Sequence, residues 1–550
     1  MTWYKRRMRG PGSYHRLGRR DLVLGASTAL LSTGGSTGGL VACSGRSLPG
    51  AAAAGAGGAG GTGGTGAPAP IWGVQSGDVS ASRALVWSRS DRPARTLVEW
   101  STSPGFTAVR RVEAPAAIAD GDLVAKVALE GLPSSTRIYY RVRFEADRAS
   151  DWIAGAFSTP DALSDVAKKS APSDVVFAWS GDTNGQGWGI DPARGGMPAF
   201  TALLDRAPDF FISCGDAIYA DNPIPPELKI EGGGTWKNLV TPAKSHIAET
   251  LEDFRGAHLY PRHSPEVRAL SANVPMFAIW DDHEVRNNWF PDEVVDEPAR
   301  HEPRMGVIAQ HARRAMLEHW PTLVDPARMY RSVRWGPMLE VFFLDGRSFR
   351  TANHPVPPEE SFLGAAQLAW LEGALAASTA TWKVIACDMP IGLVISEPAP
   401  GAAGVAGLEA YDGYANTSGP PSGREKELAS LLSSLRRRAV RNVVWITADV
   451  HYAAAHRYDP TKAQFRDMDP FWEFVAGPMH ATSFPRKRFD DTFGPELAYA
   501  SASWDTFGSP ATGQQFFGVV RIDGASRVMT VTLVDARGRD LHATVLRPQT

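Results

Sequence analysis

Cysteine is scarce: Cys43, Cys214 and Cys387 are the only three in a chain of 550 residues. Three thiols exclude a framework of paired disulfides, and no Cys-x-x-Cys spacing offers a structural zinc site. Cys214 and Cys387 end the apolar runs DFFISC and WKVIAC, so both are expected as buried, inert thiols packing as small hydrophobes. An excess of one charge is missing too. A formal net charge of -2 with pI near 6.7 leaves no basic stripe for nucleic acid and no acidic tail for a cationic partner. Polyanionic substrates remain admissible, because bound cations can supply positive charge that side chains do not.

The chain does carry an N-terminal address. Residues 1–20 are rich in Lys and Arg and hold no acid, and Arg19-Arg20-Asp21-Leu22-Val23-Leu24 leads into a short, weakly apolar stretch ending at Ala42. A basic segment before so short an apolar run reads as an export signal over residues 1–43 and not as a membrane span. The paired arginines resemble a twin-arginine signal, which engages a machinery exporting folded proteins. Leu40-Val41-Ala42-Cys43 resembles a bacterial lipobox, with Cys43 as the lipid-bearing residue of a membrane anchor. The Gly/Ala-rich residues 44–70 cannot bury a core and read as a flexible tether. The expected location is therefore exported: periplasmic or at the cell surface, lipid-anchored where Cys43 is modified.

Residues 71–160 show short alternating strands punctuated by turns: RALVWS from Arg83, TLVEW from Thr96 and RIYYRVRF from Arg137. With Trp87 on an early strand and a later tyrosine pair, this predicts an all-β sandwich of immunoglobulin or fibronectin type, its aromatics in the core. From 174 to 550 the texture changes to continuous apolar runs alternating with helical segments: VVFAWS (175–180), FFISC (210–214), MFAIW (276–280), LEVFFLD (339–345), WKVIACD (382–388) and NVVWITA (442–448). Such runs predict an α/β domain with strands buried on both faces and helices packed on a largely central sheet. Ligands in such folds gather beyond the strand ends.

At those ends stand carboxylates and histidines. VVFAWS is followed by Gly181-Asp182-Thr183-Asn184, FFISC by Gly215-Asp216-Ala217-Ile218-Tyr219, MFAIW by Asp281-Asp282-His283-Glu284, and NVVWITA by Asp449-Val450-His451. One Asp after a strand is an ordinary turn or cap residue. Four such sites, two with a neighbouring His, make a metal-ligand constellation. Two adjacent cations can neutralise a phosphoester's oxygens, generate hydroxide at neutral pH and stabilise the departing oxygen.

The series GD, GDAIYAD, WDDHEVRNNW and ADVH resembles the motifs of the calcineurin-like metallophosphatases, and WDDHEV resembles their PhoD-like alkaline phosphatase branch. The resemblance implies a four-layer α/β/β/α sandwich preceded by the β-sandwich domain. It also implies a centre of two or more metal ions, Fe3+ with Ca2+, that hydrolyses phosphomonoesters or phosphodiesters. By that resemblance Asp216 bridges the metals and Tyr219 binds the ferric ion. Asp282, Asp449 and His451 complete the ligand set. His283 contacts the phosphate or protonates the leaving oxygen, and Asn287 and Asn288 face the substrate. Where the family commonly has a Cys after the first strand, this chain has Asp182 as a metal ligand. A hard carboxylate in place of a thiolate leaves Mn2+ or Zn2+ open beside iron and calcium.

In DFRGAHLYPRH, Arg255, Arg262 and His263 occupy the place of a basic segment that lies near the phosphate in family members, with Arg255 as the substrate-binding candidate. His480 borders the site or merely caps it. His311 and His319 read as ordinary helix residues. Asp345 and Asp388 read as structural, Asp345 pairing with a nearby Arg, and the Gly/Pro-rich stretch from Pro398 to Arg424 is a candidate lid. The alternative function is a tethered binding protein that keeps the fold without activity.

Overall fold

The computed structural model describes residues 66–164, 171–353, 360–398, 409–416 and 418–549. The expected export signal, Cys43 and the tether up to residue 65 lie outside the described residues, as does the part of the candidate lid at 399–408.

The first region holds two antiparallel sheets. One orders Val74–Gly77, Arg83–Arg89 and Val124–Glu130; the other orders Arg110–Glu113, Arg95–Ser101, Arg137–Glu145 and Ile153–Ser158. Alternation drives their assembly: along Arg137–Glu145 every second residue is buried, placing Ile138, Tyr140, Val142 and Phe144 inward. Trp87 is fully buried as expected, but not in the sandwich core. Its indole Nε1 donates to the Glu318 carbonyl at 2.9 Å and the Arg262 guanidinium lies over its ring, so it packs against the α/β region.

The second region holds two larger sheets instead of one central sheet. A six-stranded sheet orders Met276–Ile279, Phe210–Cys214, Val175–Ser180, Phe516–Ile522, Met529–Asp535 and Asp540–Leu546, the first three parallel and the rest antiparallel. A seven-stranded sheet orders Arg331–Trp335, Leu339–Phe343, Trp382–Ala386, Val443–Thr447, Phe471–Val475, Ala454–Tyr458 and Pro495–Ala500. One apolar cluster joins both: Phe177, Ile212, Cys214 and Phe277 pack with Val341, Val384, Ile446 and Phe474. The other face of the seven-stranded sheet packs Phe342, Ile385 and Trp445 against helices Ala365–Ala377 and Glu425–Arg437. The other face of the six-stranded sheet meets helices Pro198–Leu204 and Pro265–Asn273 through Phe211 and Phe517. Both faces of each central strand are thus apolar, which is why the runs read as continuous. Among the described residues no helix is long and apolar enough to cross a membrane.

Candidate metal centre

Four loops leave the carboxyl ends of Val175–Ser180, Phe210–Cys214, Met276–Ile279 and Val443–Thr447 and converge. Their turns are unusual. Asp182, Asp216, Asp449 and His451 all have left-handed backbones, with φ of 62°, 48°, 63° and 60°. Residues other than glycine hold this conformation at a cost on the order of 1–3 kcal/mol each, and such strain clusters at functional sites. Gly215 and Gly477 make room: a Cβ on Gly215 would overlap the Asp281 Cβ, and one on Gly477 would overlap the Asp182 carboxylate. Glu284 ties two of the loops together, its carboxylate accepting from the backbone N–H groups of Asp216 (2.9 Å), Ala217 (2.7 Å) and Asp281 (2.7 Å).

The convergent side chains form linked groups able to hold cations. Asp182, Asp216 and His451 make one, Asp216, Asp282 and His283 a second, and Asp281, Asp282 and Asp449 a third, each with its ligand atoms within 4.8 Å of one another. Asp216 and Asp282 each belong to two groups, the arrangement expected of bridging carboxylates. Tyr219 joins the first, with its hydroxyl 2.8 Å from His451 Nε2. His451 Nδ1 donates to the Thr482 carbonyl, which fixes the tautomer and leaves the Nε2 lone pair facing the group. The donor set fits cations for a further reason: both carboxylate oxygens of Asp182 are buried without a hydrogen-bond partner.

Electrostatics point the same way. Burial, reinforced by Asp449, raises Asp182 well above the usual carboxylate range, and burial with Asp282 and Asp281 does the same to Asp216. Burial and Asp282 push Asp449 up to about 8, and burial lowers His451 to about 3, leaving a neutral imidazole. Unpaired like charges at this density are what a bound cation relieves. His283 behaves oppositely. Burial opposes its charge, yet Asp221, 2.7 Å from Nδ1, and Asp282 raise it to about 9. Its ring stacks on Tyr219 at 4.2 Å.

The structure thus brings together Asp182, Asp216, Tyr219, Asp282, His283, Asp449 and His451. Asn288 is adjacent through its backbone, which donates to Asp282 Oδ2 at 2.6 Å, and Asn287 is exposed beside it with its N–H on Asp221. Arg255 does not join them. Its guanidinium is held by Glu318 at 2.7 and 2.9 Å and by the Asp120 carbonyl, and Arg262 and His263 pack on Trp87 and Trp72. The segment DFRGAHLYPRH therefore builds the contact with the β region, where Glu318 and the Asp120 carbonyl satisfy the Arg255 guanidinium and Trp87 and Trp72 receive Arg262 and His263. His480 borders the site by backbone alone: its N–H donates to the Asp182 carbonyl, while its side chain turns away to the Gly189 carbonyl. His311 meets the Glu249 carbonyl and His319 meets Asp122, both outside the centre. Cys214 and Cys387 are buried and free.

A family model described as PhoD-like phosphatase matches residues 177–533, and one described as its N-terminal domain matches residues 61–161. The chain belongs to the PhoD-like phosphatases. Alkaline phosphatase D of Bacillus subtilis (strain 168) is 25% identical over 414 residues, which are 69% of this chain and 64% of that protein, so this chain spans just under two thirds of its relative's length. A solved structure of PhoD superposes with a TM-score of 0.65 at 18% identity, covering 88% of this chain and 90% of that one. The purple acid phosphatase PPD1 from yellow lupin (Lupinus luteus) seeds gives a TM-score of 0.50 at 11% identity, covering 88% and 74%. These two likenesses concern the fold.

In this PhoD-like chain a second buried cluster lies against the first, and sequence reasoning missed it. Arg347 is fully buried, its guanidinium bound to Asp281 (2.6 and 2.8 Å) and to both oxygens of Asp412 (3.0 and 2.8 Å), with Asp388 at 3.5 Å. Asp412 also accepts from Arg350 at 2.6 Å and from Asn353 at 2.8 Å. Burial works against its charge, but Arg347 and Arg350 hold it below the usual carboxylate range. Asp412 belongs to Tyr411-Asp-Gly-Tyr of the candidate lid, and residues 412–416 are buried. Asp345 is structural, though its carboxylate accepts from Trp280 Nε1 and the backbone N–H groups of Arg347 and Ser348 and not from a guanidinium.

Proposed function

We propose that the chain is a metal-dependent phosphoesterase acting on phosphomonoesters or phosphodiesters. The observation that carries this reading is the pair of cation-binding groups sharing Asp216, with an unpartnered buried carboxylate, Asp182, beside them. Bound cations would neutralise phosphate oxygens and lower the pKa of a water molecule enough for attack at neutral pH. Asp182, Asp216, Tyr219 and His451 would hold one ion, and Asp216, Asp282 and Asp449 another. His283 has the place and charge of the group that meets the substrate: Asp221 holds its Nδ1, leaving Nε2 to protonate the leaving oxygen. Asn288 and Asn287 line the mouth beside it, and Arg347 keeps Asp281 and Asp412 in register from behind. The ligands are oxygen and nitrogen throughout, which suits Ca2+ and Fe3+ held by phenolate and also Mn2+ or Zn2+.

The finer architecture belongs to the same proposal. Helix, sheet, sheet and helix clusters in that sequence support a four-layer sandwich over 174–550, and two antiparallel sheets support an immunoglobulin- or fibronectin-like domain over 71–160. Arg19-Arg20 and Leu40–Cys43 support twin-arginine export and a lipid anchor, which would hold the enzyme at the cell surface or in the periplasm.

Elemental analysis of protein exported by its native route, paired with assays on a chromogenic monoester and diester, tests the reading. We expect at least two metal ions per chain and hydrolysis of one class or both. A metal-loaded protein that hydrolyses neither would return the fold to a binding role.

A further inference from the structure

Asp449, His283 and Asn288 are the half-buried members of the centre and mark its mouth, while Asp182, Asp216 and Asp282 lie beneath. On the Asp449 side the mouth continues into a rim that the metal chemistry does not use. Phe484 stacks on the His451 ring at 4.5 Å with 20° between planes, and Phe507 follows 6.0 Å further on. Two segments present these rings. Ser483 and Gly508 pair as an antiparallel bridge, and the Arg486 N–H donates to the Ser503 carbonyl at 2.9 Å, so the turn 503–507 is fastened to the strip 483–486. At the outer end Trp504 is 62% exposed and Phe507 48% exposed, an unusual outlay of aromatic surface beside a polar site.

The same strip is basic. Pro485 is followed by Arg486, Lys487 and Arg488. The Arg486 guanidinium lies 4.2 Å from the Trp504 ring centroid, a cation–π contact that braces the indole. Lys487 lies between Arg486 and Arg488 on this strip, and its backbone N–H donates to the Tyr452 hydroxyl at 3.2 Å. Asp505 is the one carboxylate on the turn, and it accepts from the Ser503 hydroxyl.

We infer that this rim is a substrate subsite for a phosphodiester bearing a flat ring beyond the reacting phosphorus, a nucleoside being the biological class. The inference rests on the phosphoesterase reading of the centre. Its logic is the order of chemistries met on leaving the mouth. A ligand whose phosphorus sits over the centre meets Phe484 beside the His451 ring first, and then Phe507 and the Trp504 indole with its Arg486 guanidinium. A guanidinium braced on an exposed indole suits a stacking ring with adjacent anionic charge. An acyl chain gains nothing from a guanidinium laid flat on an indole, and a polyol gains nothing from the exposed rings.

The experiment compares thymidylyl-thymidine with glycerophosphoglycerol, a diester without rings, and with dispersed phosphatidylglycerol. In the metal-loaded full chain we expect Trp504→Ala combined with Phe507→Ala to lower kcat/KM for the dinucleotide about tenfold more than for glycerophosphoglycerol. Trp504→Tyr with Phe507→Tyr should restore most of the difference, which a merely structural role of the turn would not. Lys487→Ala should raise KM for both diesters without reversing their ratio. Equal losses on the two soluble diesters, or a selective loss on phosphatidylglycerol, overturn the ring subsite. Calorimetric titration with thymidine 5′-monophosphate separates this inference from its premise. If no ester is turned over, the phosphoesterase reading fails, yet weaker nucleotide binding by the ring-free variant than by wild type still supports the subsite, and equal binding refutes it.

Discussion

Two buried carboxylate clusters lie back to back in this protein, and they solve the same problem differently. Asp412 and one oxygen of Asp281 are met by Arg347 and Arg350, guanidiniums that the chain itself supplies. Asp182, Asp216 and Asp449 are met by almost nothing of opposite charge: neither carboxylate oxygen of Asp182 has a hydrogen-bond partner, and burial with neighbouring acids raises all three. A buried ion is tolerated only with a partner. Around Asp412 the pairing is complete as folded, whereas the second cluster consists of groups that could hold cations. The backbone repeats the division, since Asp182, Asp216, Asp449 and His451 are left-handed while Asp412 and Arg347 are not among the positive-φ residues. Strain and unpaired charge therefore coincide at the centre, and the arginine cluster behind it acts as its rigid back wall.

Asp216→Asn would sharpen this comparison most. We expect loss of turnover together with at least one metal ion, because the carboxylate shared by two groups is gone. The metal-free variant should unfold at no lower temperature than the metal-free parent, since a repelling charge has been removed. Retained metal with near-normal activity would remove Asp216 from the bridging position.

His283 stands among the acids of the centre but has a carboxylate of its own, Asp221, on Nδ1. His283→Ala should lower kcat by ~10²–10⁴-fold, the span of a general acid, with metal content unchanged. Metal loss in proportion to activity would make it a ligand, as its membership of the second cation-binding group allows.

On the other side of the division, Arg347→Met should behave as the mirror of Asp216→Asn. Removing one partner of a buried ion network costs roughly 3–5 kcal/mol, because Asp281 loses its guanidinium and Asp412 keeps only Arg350. The expected signature is a large fall in unfolding midpoint with or without metal. A variant that lost metal but kept its metal-free stability would show that Arg347 serves the centre directly, and the distinction between the clusters would collapse.

The convergence of the acidic half of this division was legible in the sequence, and the arginine half was not. Asp182, Asp216, Asp282 and Asp449 each follow an apolar run, so strand ends and candidate ligands could be located together. Asp412 sits in a Gly/Pro-rich stretch that reads as a loop, and Arg347 follows a strand where arginine normally reaches solvent. Their pairing spans 65 residues and leaves no local pattern. Arg255 misled for the complementary reason. It stands between two motifs in the chain, but its helix, Leu251–Leu259, faces the β region and Glu318. The doubled sheet escaped composition as well, because an apolar face reads alike whether a helix or a second sheet covers it.

The smallest effect concerns a paired carboxylate outside both clusters. Asp122 accepts from Arg89 at 2.7 and 3.0 Å and from His319 Nε2 at 3.0 Å, at the contact between the β region and helix Met305–His319. Burial raises its pKa, but His319 and Arg89 outweigh it and bring Asp122 down to about 2. A carboxyl lowered on folding contributes stability above its unfolded value, near 3.9, and that contribution disappears as pH falls toward about 2. His319 adds an earlier acid loss, since burial lowers its pKa and the unfolded chain gains its proton first below about 6.5. Allowing for solvent screening of a pair at a domain contact, Asp122→Asn should cost about 1 kcal/mol. Urea midpoints of parent and variant should differ by that amount between pH 5 and 7 and converge as pH falls through 4 toward 2. The acids of the metal centre titrate alike in both proteins and cancel in the difference. A gap that stays constant down to pH 3 would mean that Asp122 contributes through shape alone, and that pairing with arginine matters for stability only in the buried wall around Arg347.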